Sequence, residues 1–169
     1  MKRLKIVACL LPLLCAVAMA GPVPAAAASS TPARGAAPPA QRPEDFTLPG
    51  LDGQPVALSR YLGKTAVLLV FWATWCPECR ASVPSINAIH DGPAGGRIRI
   101  LAIDYRESRE QVASAVKARG IRYPVLLDGD GSVAAEYGIV GVPTYILIDR
   151  KGSIAYRDHV LPSDLSPYL

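Results

Sequence analysis

Histidine and cysteine are scarce in this chain: its 169 residues hold two His and four Cys. A structural zinc site takes four Cys or His ligands, typically as two close pairs. Cys76 and Cys79 form one such pair, no second pair follows, and His90 and His159 stand at no finger spacing. Positive charge is also thinner than it first looks. The formal net charge is +4, but Lys2, Arg3 and Lys5 supply three of the 18 Lys and Arg against 14 Asp and Glu. No compact basic cluster remains, so the composition argues against a nucleic-acid partner. Internal repeats are absent, which excludes a solenoid. What is there suits a globular domain: 50% apolar and 19% charged residues, with enough length to bury a core.

The N-terminus accounts for the discounted charges. "MKRLKIVACLLPLLCAVAMAG" has a basic start, an apolar stretch from Ile6 to Ala20 and a small-x-small end at Ala18-Met19-Ala20. Residues 1–20 read as a secretory signal peptide cut before Gly21. The alternative is an inner-membrane anchor over residues 6–28, because no charge occurs from Ile6 to Ala33; Pro22 and Pro24 make the second half of that span a poor helix. With cleavage, Cys9 and Cys15 leave and the mature chain keeps one Cys pair, in an oxidising compartment such as the periplasm. Residues 21–43 are Pro/Ala-rich without apolar period and read as an extended linker. The domain is expected over residues 44–169.

Within it, apolar runs and turn signals alternate. Short strands flank an Asp-Gly turn at 52–53. "TAVLLVFW" is a continuous apolar run of strand length, hence a central buried strand. A helix is expected from Pro77 to about Ile89, then the strand "RIRILAIDY". "SREQVASAVKARG" predicts an amphipathic helix capped by Ser108 and ended by Gly120. The strand "YPVLLD", a short helix stopped by Gly138, and a hairpin of "PTYILID" and "SIAYRD" complete the order β-α-β-α-β-α-β-β. That alternation implies an α/β fold: a mixed central sheet flanked by helices. Active sites in such sheets lie beyond the carboxyl ends of strands, which is where Cys76 falls.

Cys76 is expected at a helix N-terminus with Pro77 in the first turn, where its missing N–H costs nothing. Free N–H groups and the helix dipole favour an anion there, lowering the thiol pKa and making Cys76 a nucleophile. Cys79, one turn below and less exposed, is placed to attack a mixed disulfide formed at Cys76. Glu78 opposes a thiolate nearby and is expected to raise the Cys76 pKa. Two other uses of the pair stay open. A thiol pair with a distant His binds copper, which makes a copper chaperone using Cys76, Cys79 and His159 an alternative. A purely structural bridge closing so short a loop would stabilise little.

"FWATWCPEC" followed by "GVPT" resembles thioredoxin-fold proteins. "DFTLPGLDGQPVALSRYLGKTAVLLVFWATWCPECR" resembles the exported TlpA/ResA branch. "DYRES", "LLDGDG" and "GVPTYILIDRKGSIAYR" resemble the DsbE (CcmG) group within it, which serves cytochrome c maturation. The resemblance covers about residues 44 to 158. It implies a thiol:disulfide oxidoreductase without cofactor or metal, with Cys76 attacking and Cys79 resolving. It also implies that Val142-Pro143 is a cis-proline loop facing the dithiol, where the Val142 backbone pairs with an extended substrate peptide. Trp72 is expected to pack and Trp75 to border the site. The implied partners are protein disulfides, apocytochrome c among them, and a membrane dithiol that donates electrons; membrane contact would run through the N-terminus.

Three features depart from the pattern. Val70 stands where thioredoxin has a buried Asp, and Ser82 where the ResA and DsbE groups commonly have a Glu. Neither acid is there to manage the proton of Cys79. The chain also stops at "LPSDLSPYL", too short for a full C-terminal helix, so one sheet face is expected to be open or filled by a partner. A peroxiredoxin-like peroxidase is a further alternative, since the "DFTLPGLDG" opening is shared. Only Trp75 separates Thr74 from Cys76, which breaks that group's spacing.

Overall fold

The computed structural model describes residues 41–169. The signal peptide or anchor, and the linker up to residue 40, lie outside them. Among the described residues no helix is long and apolar enough to cross a membrane.

The seven-residue run Ala66–Trp72 is a strand buried along its whole length (β3). Such a strand needs cover on both faces, and the chain supplies it. After the short hairpin β1 (Thr47–Pro49) and β2 (Pro55–Ala57) come β3, helix α1 (Pro77–Asp91), β4 (Ile98–Tyr105), α2 (Arg109–Arg119), β5 (Val125–Asp128), α3 (Ser132–Glu136), β6 (Thr144–Ile148) and β7 (Ile154–Asp158). The main sheet has the order β5-β4-β3-β6-β7. β3 pairs parallel with β4, and β4 with β5; β6 runs antiparallel to both β3 and β7. The central position of β3 explains why its sequence shows no alternation: both of its faces are core.

The pleat divides that core. Leu68, Val70 and Trp72 of β3, with Ile98, Ile100 and Ala102 of β4, face the side that holds Cys76, Cys79, Val83, Ile86 and Val112. Val67, Leu69 and Phe71 face Phe46, Leu48, Leu58 and Tyr137 on the other side. Helix α2 starts and ends as its sequence predicts. Ser108 Oγ accepts from Gln111 N at 3.3 Å, and Gly120 closes the helix at φ 62°, a left-handed conformation that favours glycine. Helix α1 runs through Pro84 to Asp91.

The ends of the domain differ from expectation. Gln41, inside the expected linker, already accepts a hydrogen bond from Ile154 N at the free side of β7 (2.8 Å). The sheet face expected to lie open is covered. Leu165 is buried, and Leu161, Tyr168 and Leu169 pack against the cluster containing Tyr145, Leu147 and Ile86. A single 3₁₀ turn, Ser166–Tyr168, replaces a helix there. The segment is too short to cover by length, so it does so with apolar side chains, and the Tyr156 and Tyr168 rings meet edge to face at 6.2 Å, within the spacing expected for such a pair.

Candidate active site

β3 ends at Trp72 and α1 begins at Pro77, which leaves four residues to turn the chain above the sheet. Cys76 is the N-cap of α1, and its sulfur accepts from Cys79 N at 3.1 Å. The same hydrogen bond would hold a Cys76 thiolate, whose charge the helix N-terminus favours. Cys76 and Cys79 are joined by a disulfide, their Cα atoms 5.3 Å apart. Pro77 occupies the first turn beside Glu78, whose Oε2 lies 4.0 Å from Cys76 Sγ.

Opposite stands the loop before β6. Its Val142–Pro143 peptide is cis, and Val142 O lies 3.6 Å from Cys76 Sγ. Thr144 Oγ1 donates to Gly141 O at 2.6 Å, and His159 Nδ1 lies 2.7 Å from Pro143 O. A carbonyl can only accept, so His159 carries a proton on Nδ1. His159 is exposed, yet it is tied to this loop rather than simply solvated. Among the described residues no three His, Cys, Asp or Glu side chains gather as a metal site.

Exposure does not separate the two cysteines as expected. Cys76 is 1% exposed and Cys79 3%. The physical reason is mutual cover: each sulfur shields the other in the disulfide, and Val142 closes over Cys76. Trp75 is 64% exposed instead and borders a cleft of about 140 Å³ with Tyr105, Ile139, Val140, Gly141 and Val142. The cleft is mostly apolar and sits beside Cys76, with Val140 fully out in solvent at 94%.

A polar network behind Thr74 has no counterpart in the sequence reading. Glu107, in the turn after β4, accepts from Thr74 N and from Thr74 Oγ1, each at 2.5 Å. Gln111 of α2 donates to the same carboxylate and to Thr74 Oγ1. Arg119 Nη2 donates to Thr74 O at 2.5 Å. Thr74, two residues before Cys76, is therefore held at its N–H, its hydroxyl and its carbonyl. Arg106 makes the turn possible at φ 62°, a left-handed backbone that costs a non-glycine residue about 1 kcal/mol. Its N–H donates to Asp128 O and its Nε to Asp130 O.

Under this network lies Asp104, the penultimate residue of β4 and fully buried. Its neighbours in the sheet are Trp72 and Leu127. The pleat turns it to the cysteine side, one strand over and one pleat up from Val70. Asp104 Oδ1 accepts from Glu107 N at 3.2 Å, and Oδ2 has no partner. Burial, with the Glu107 carboxylate beside it, pushes the Asp104 pKa up to about 8. The signal that could have found it was an acid inside the otherwise apolar run "ILAIDY", since Asp is almost never fully buried without a role for its carboxyl. Ser82, where an acid was expected, donates its hydroxyl to Cys79 O at 2.9 Å.

Similar proteins place this geometry. ResA of Bacillus thuringiensis subsp. konkukian (strain 97-27), a thiol-disulfide oxidoreductase, is 32% identical over 110 residues, 65% of this chain and 63% of that protein. The thiol:disulfide interchange protein DsbE of Escherichia coli (strain K12) is 38% identical over 102 residues, 60% of this chain and 51% of that one. This chain thus spans less than two thirds of either relative's length. The crystal structure of a thiol:disulfide interchange protein of the thioredoxin family from Chlorobium tepidum TLS superposes with a TM-score of 0.66 at 27% identity, over 76% of this chain and 91% of that one. A family model described as AhpC/TSA matches residues 39–157, and the chain, thioredoxin-like in fold, belongs to that family.

Proposed function

We propose that this protein is an exported thiol:disulfide oxidoreductase that reduces protein disulfides through Cys76 and Cys79. The observation that carries the reading is the Cys76–Cys79 disulfide at the N-terminus of α1, facing Val142 O across 3.6 Å. The names of the relatives support it, and the signal-like sequence of residues 1–20 supports export.

The reduced pair acts in two steps. The Cys76 thiolate attacks one sulfur of a substrate disulfide, forming a mixed disulfide and releasing the other substrate sulfur as thiolate. The Cys79 thiolate then attacks Cys76 Sγ, which releases the second substrate thiolate and leaves the Cys76–Cys79 disulfide. Two electrons pass to the substrate, and an outside dithiol must return them. A membrane dithiol donor fits an exported protein, and apocytochrome c is the substrate suggested by the DsbE-like sequence. Trp75 and the apolar cleft offer a surface for residues flanking the substrate cysteine. The free backbone of Val142 can pair with that segment as an added strand. Cys76 is almost fully covered when oxidised, with Val142 O beside its sulfur, so an outside dithiol approaches it past Val142.

The reduction potential of the Cys76–Cys79 pair tests the direction of flow. Related motifs run from about −120 mV for strong oxidants to about −270 mV for reductants. A value toward the reductant end is expected. A value near the oxidant end would overturn the reducing role and leave disulfide formation in its place.

A further inference from the structure

We propose that Asp104 and Glu107 form a carboxyl pair that positions the Cys76 loop: Glu107 clamps Thr74 as acceptor, and Asp104 lies buried behind it and sets how firmly the clamp holds.

The donors decide which member holds Thr74. The Glu107 carboxylate receives Thr74 N, Thr74 Oγ1 and Gln111 Nε2, the first two at 2.5 Å. All three donors point at one carboxylate, which acts as acceptor to each of them. Asp104 receives only Glu107 N, its Oδ2 is buried without a donor, and the side-chain group beside it is the Glu107 carboxyl. An ionised Oδ2 in that place would be an unpaired buried charge, which proteins avoid by taking up a proton. The charged groups around Asp104 agree with this. Glu107 in the following turn and Asp128 of β5 both disfavour a second negative charge. Arg119 of α2 keeps its positive charge while its Nη2 donates to Thr74 O and its Nη1 stays unpaired, and it is not among the groups that act on Asp104. β3 presents neutral Trp72, and α1 contributes to this face the two cysteines, which do not titrate while joined.

When hydroxide removes the Asp104 proton, two carboxylates face each other in a buried site. Glu107 is the one that can move, because it sits in a turn and Asp104 in a strand. Its retreat loosens the grip on Thr74 N and Oγ1, and the loop carrying Cys76 with it. Asp104 and Glu107 touch neither sulfur, so both are positioning residues. Their relevance to turnover rests on the oxidoreductase reading, but the clamp itself does not.

The test uses the full chain in its disulfide form, so that no cysteine titrates. The Asp104 side-chain carboxyl carbon and the Thr74 amide are followed by NMR from pH 5 to 10. Both should titrate together, with a midpoint near 8. Thr74 N–H exchange, corrected for base catalysis, should rise about tenfold across the midpoint, as expected for loss of one hydrogen bond to a charged group. In Asp104→Asn the Thr74 titration should vanish. Should that variant fail to fold, Glu107→Gln serves instead, and the Asp104 midpoint should fall because a neighbouring negative charge is gone. An Asp104 carboxyl that titrates like an ordinary exposed one, a Thr74 amide that ignores the Asp104 titration, or a Thr74 response that persists in Asp104→Asn overturns the proposal. None of these results depends on whether the protein reduces disulfides, which the potential measurement decides separately.

Discussion

On one face of the sheet, Val67, Leu69 and Phe71 pack against Phe46, Leu48, Leu58 and Tyr137; on the other, Val70 and Trp72 lead up to Cys76 and Cys79. The buried polar groups of the first face are satisfied. Tyr137 donates to Glu44 O at 2.5 Å, and the Asp128 carboxylate accepts from Val133 N and Ala134 N. The cysteine face is different. Trp72 Nε1, Asp104 Oδ2 and Arg119 Nη1 are buried there without partners. An unpaired buried polar atom costs roughly 1–3 kcal/mol. One face therefore supplies stability and the other spends some of it on a site.

That division can be broken by mutation. Cys76→Ser should have the largest functional effect: reduction of a peptide disulfide should fall to the uncatalysed rate. The unfolding midpoint in urea should move little, because the bridge closes a short loop. Phe71→Ala should do the reverse. The side chain is fully buried, so about 3–5 kcal/mol of stability should be lost in the same urea experiment, while the protein that remains folded keeps its turnover. If Phe71→Ala abolished turnover in folded protein, the two faces would not be separable.

The pH dependence of stability sharpens the contrast. Asp104 is raised from 3.8 to about 8 by folding, so between those values the native state holds a proton that the unfolded chain has released. Stability should therefore decline as pH rises through that window and level off above it. In Asp104→Asn this part of the decline should disappear, as seen in urea midpoints from pH 5 to 9. The same scan on an Asp128→Asn variant should keep the decline but end it at a lower pH, because Asp128 is one of the charges that raise Asp104.

Two smaller effects concern the dithiol. Ser82→Glu should speed release of mixed disulfides, since it puts an acid one turn beyond Cys79 that can take up its proton. Stopped-flow decay of a trapped adduct measures this, and an unchanged rate would mean that Cys79 needs no such help. Glu78→Gln should lower the Cys76 thiol pKa by removing a like charge 4.0 Å away. Thiolate absorbance against pH reads the shift.

Most of the frame was legible because burial leaves a plain record in sequence. A seven-residue apolar run of strand length, rich in Val and aromatics, points to an inner strand, Ser108 and Gly120 mark both ends of α2, and Cys-Pro at a strand end announces a helix N-terminus. The clamp on Thr74 was not legible. Thr74, Asp104, Glu107, Gln111 and Arg119 are spread over 46 positions of chain, and only the parallel pairing of β3 with β4 brings them together. The cover at the C-terminus was missed for another reason. The segment is too short for a helix, and Leu161, Leu165, Tyr168 and Leu169 reach the core from irregular backbone that leaves no period in sequence. The role of His159 depends on where the hairpin sets it against Pro143, which no local pattern records.

The stretch from Gln41 to Gly50 has a bearing on how the protein behaves in a crowd. Gln41 pairs with Ile154 on β7, and Gly50 pairs with Leu126 on β5. β7 and β5 are the two outer strands of the sheet, so one short strap, which buries its own Phe46 and Leu48 in the core, touches both margins. Open strand margins are templates on which other chains add and aggregates grow. The strap occupies each margin at one point and interrupts the row of free backbone groups. A chain cut just before Thr47 would lose the Gln41 pairing as well as Phe46, and should precipitate at concentrations where the intact protein stays dispersed.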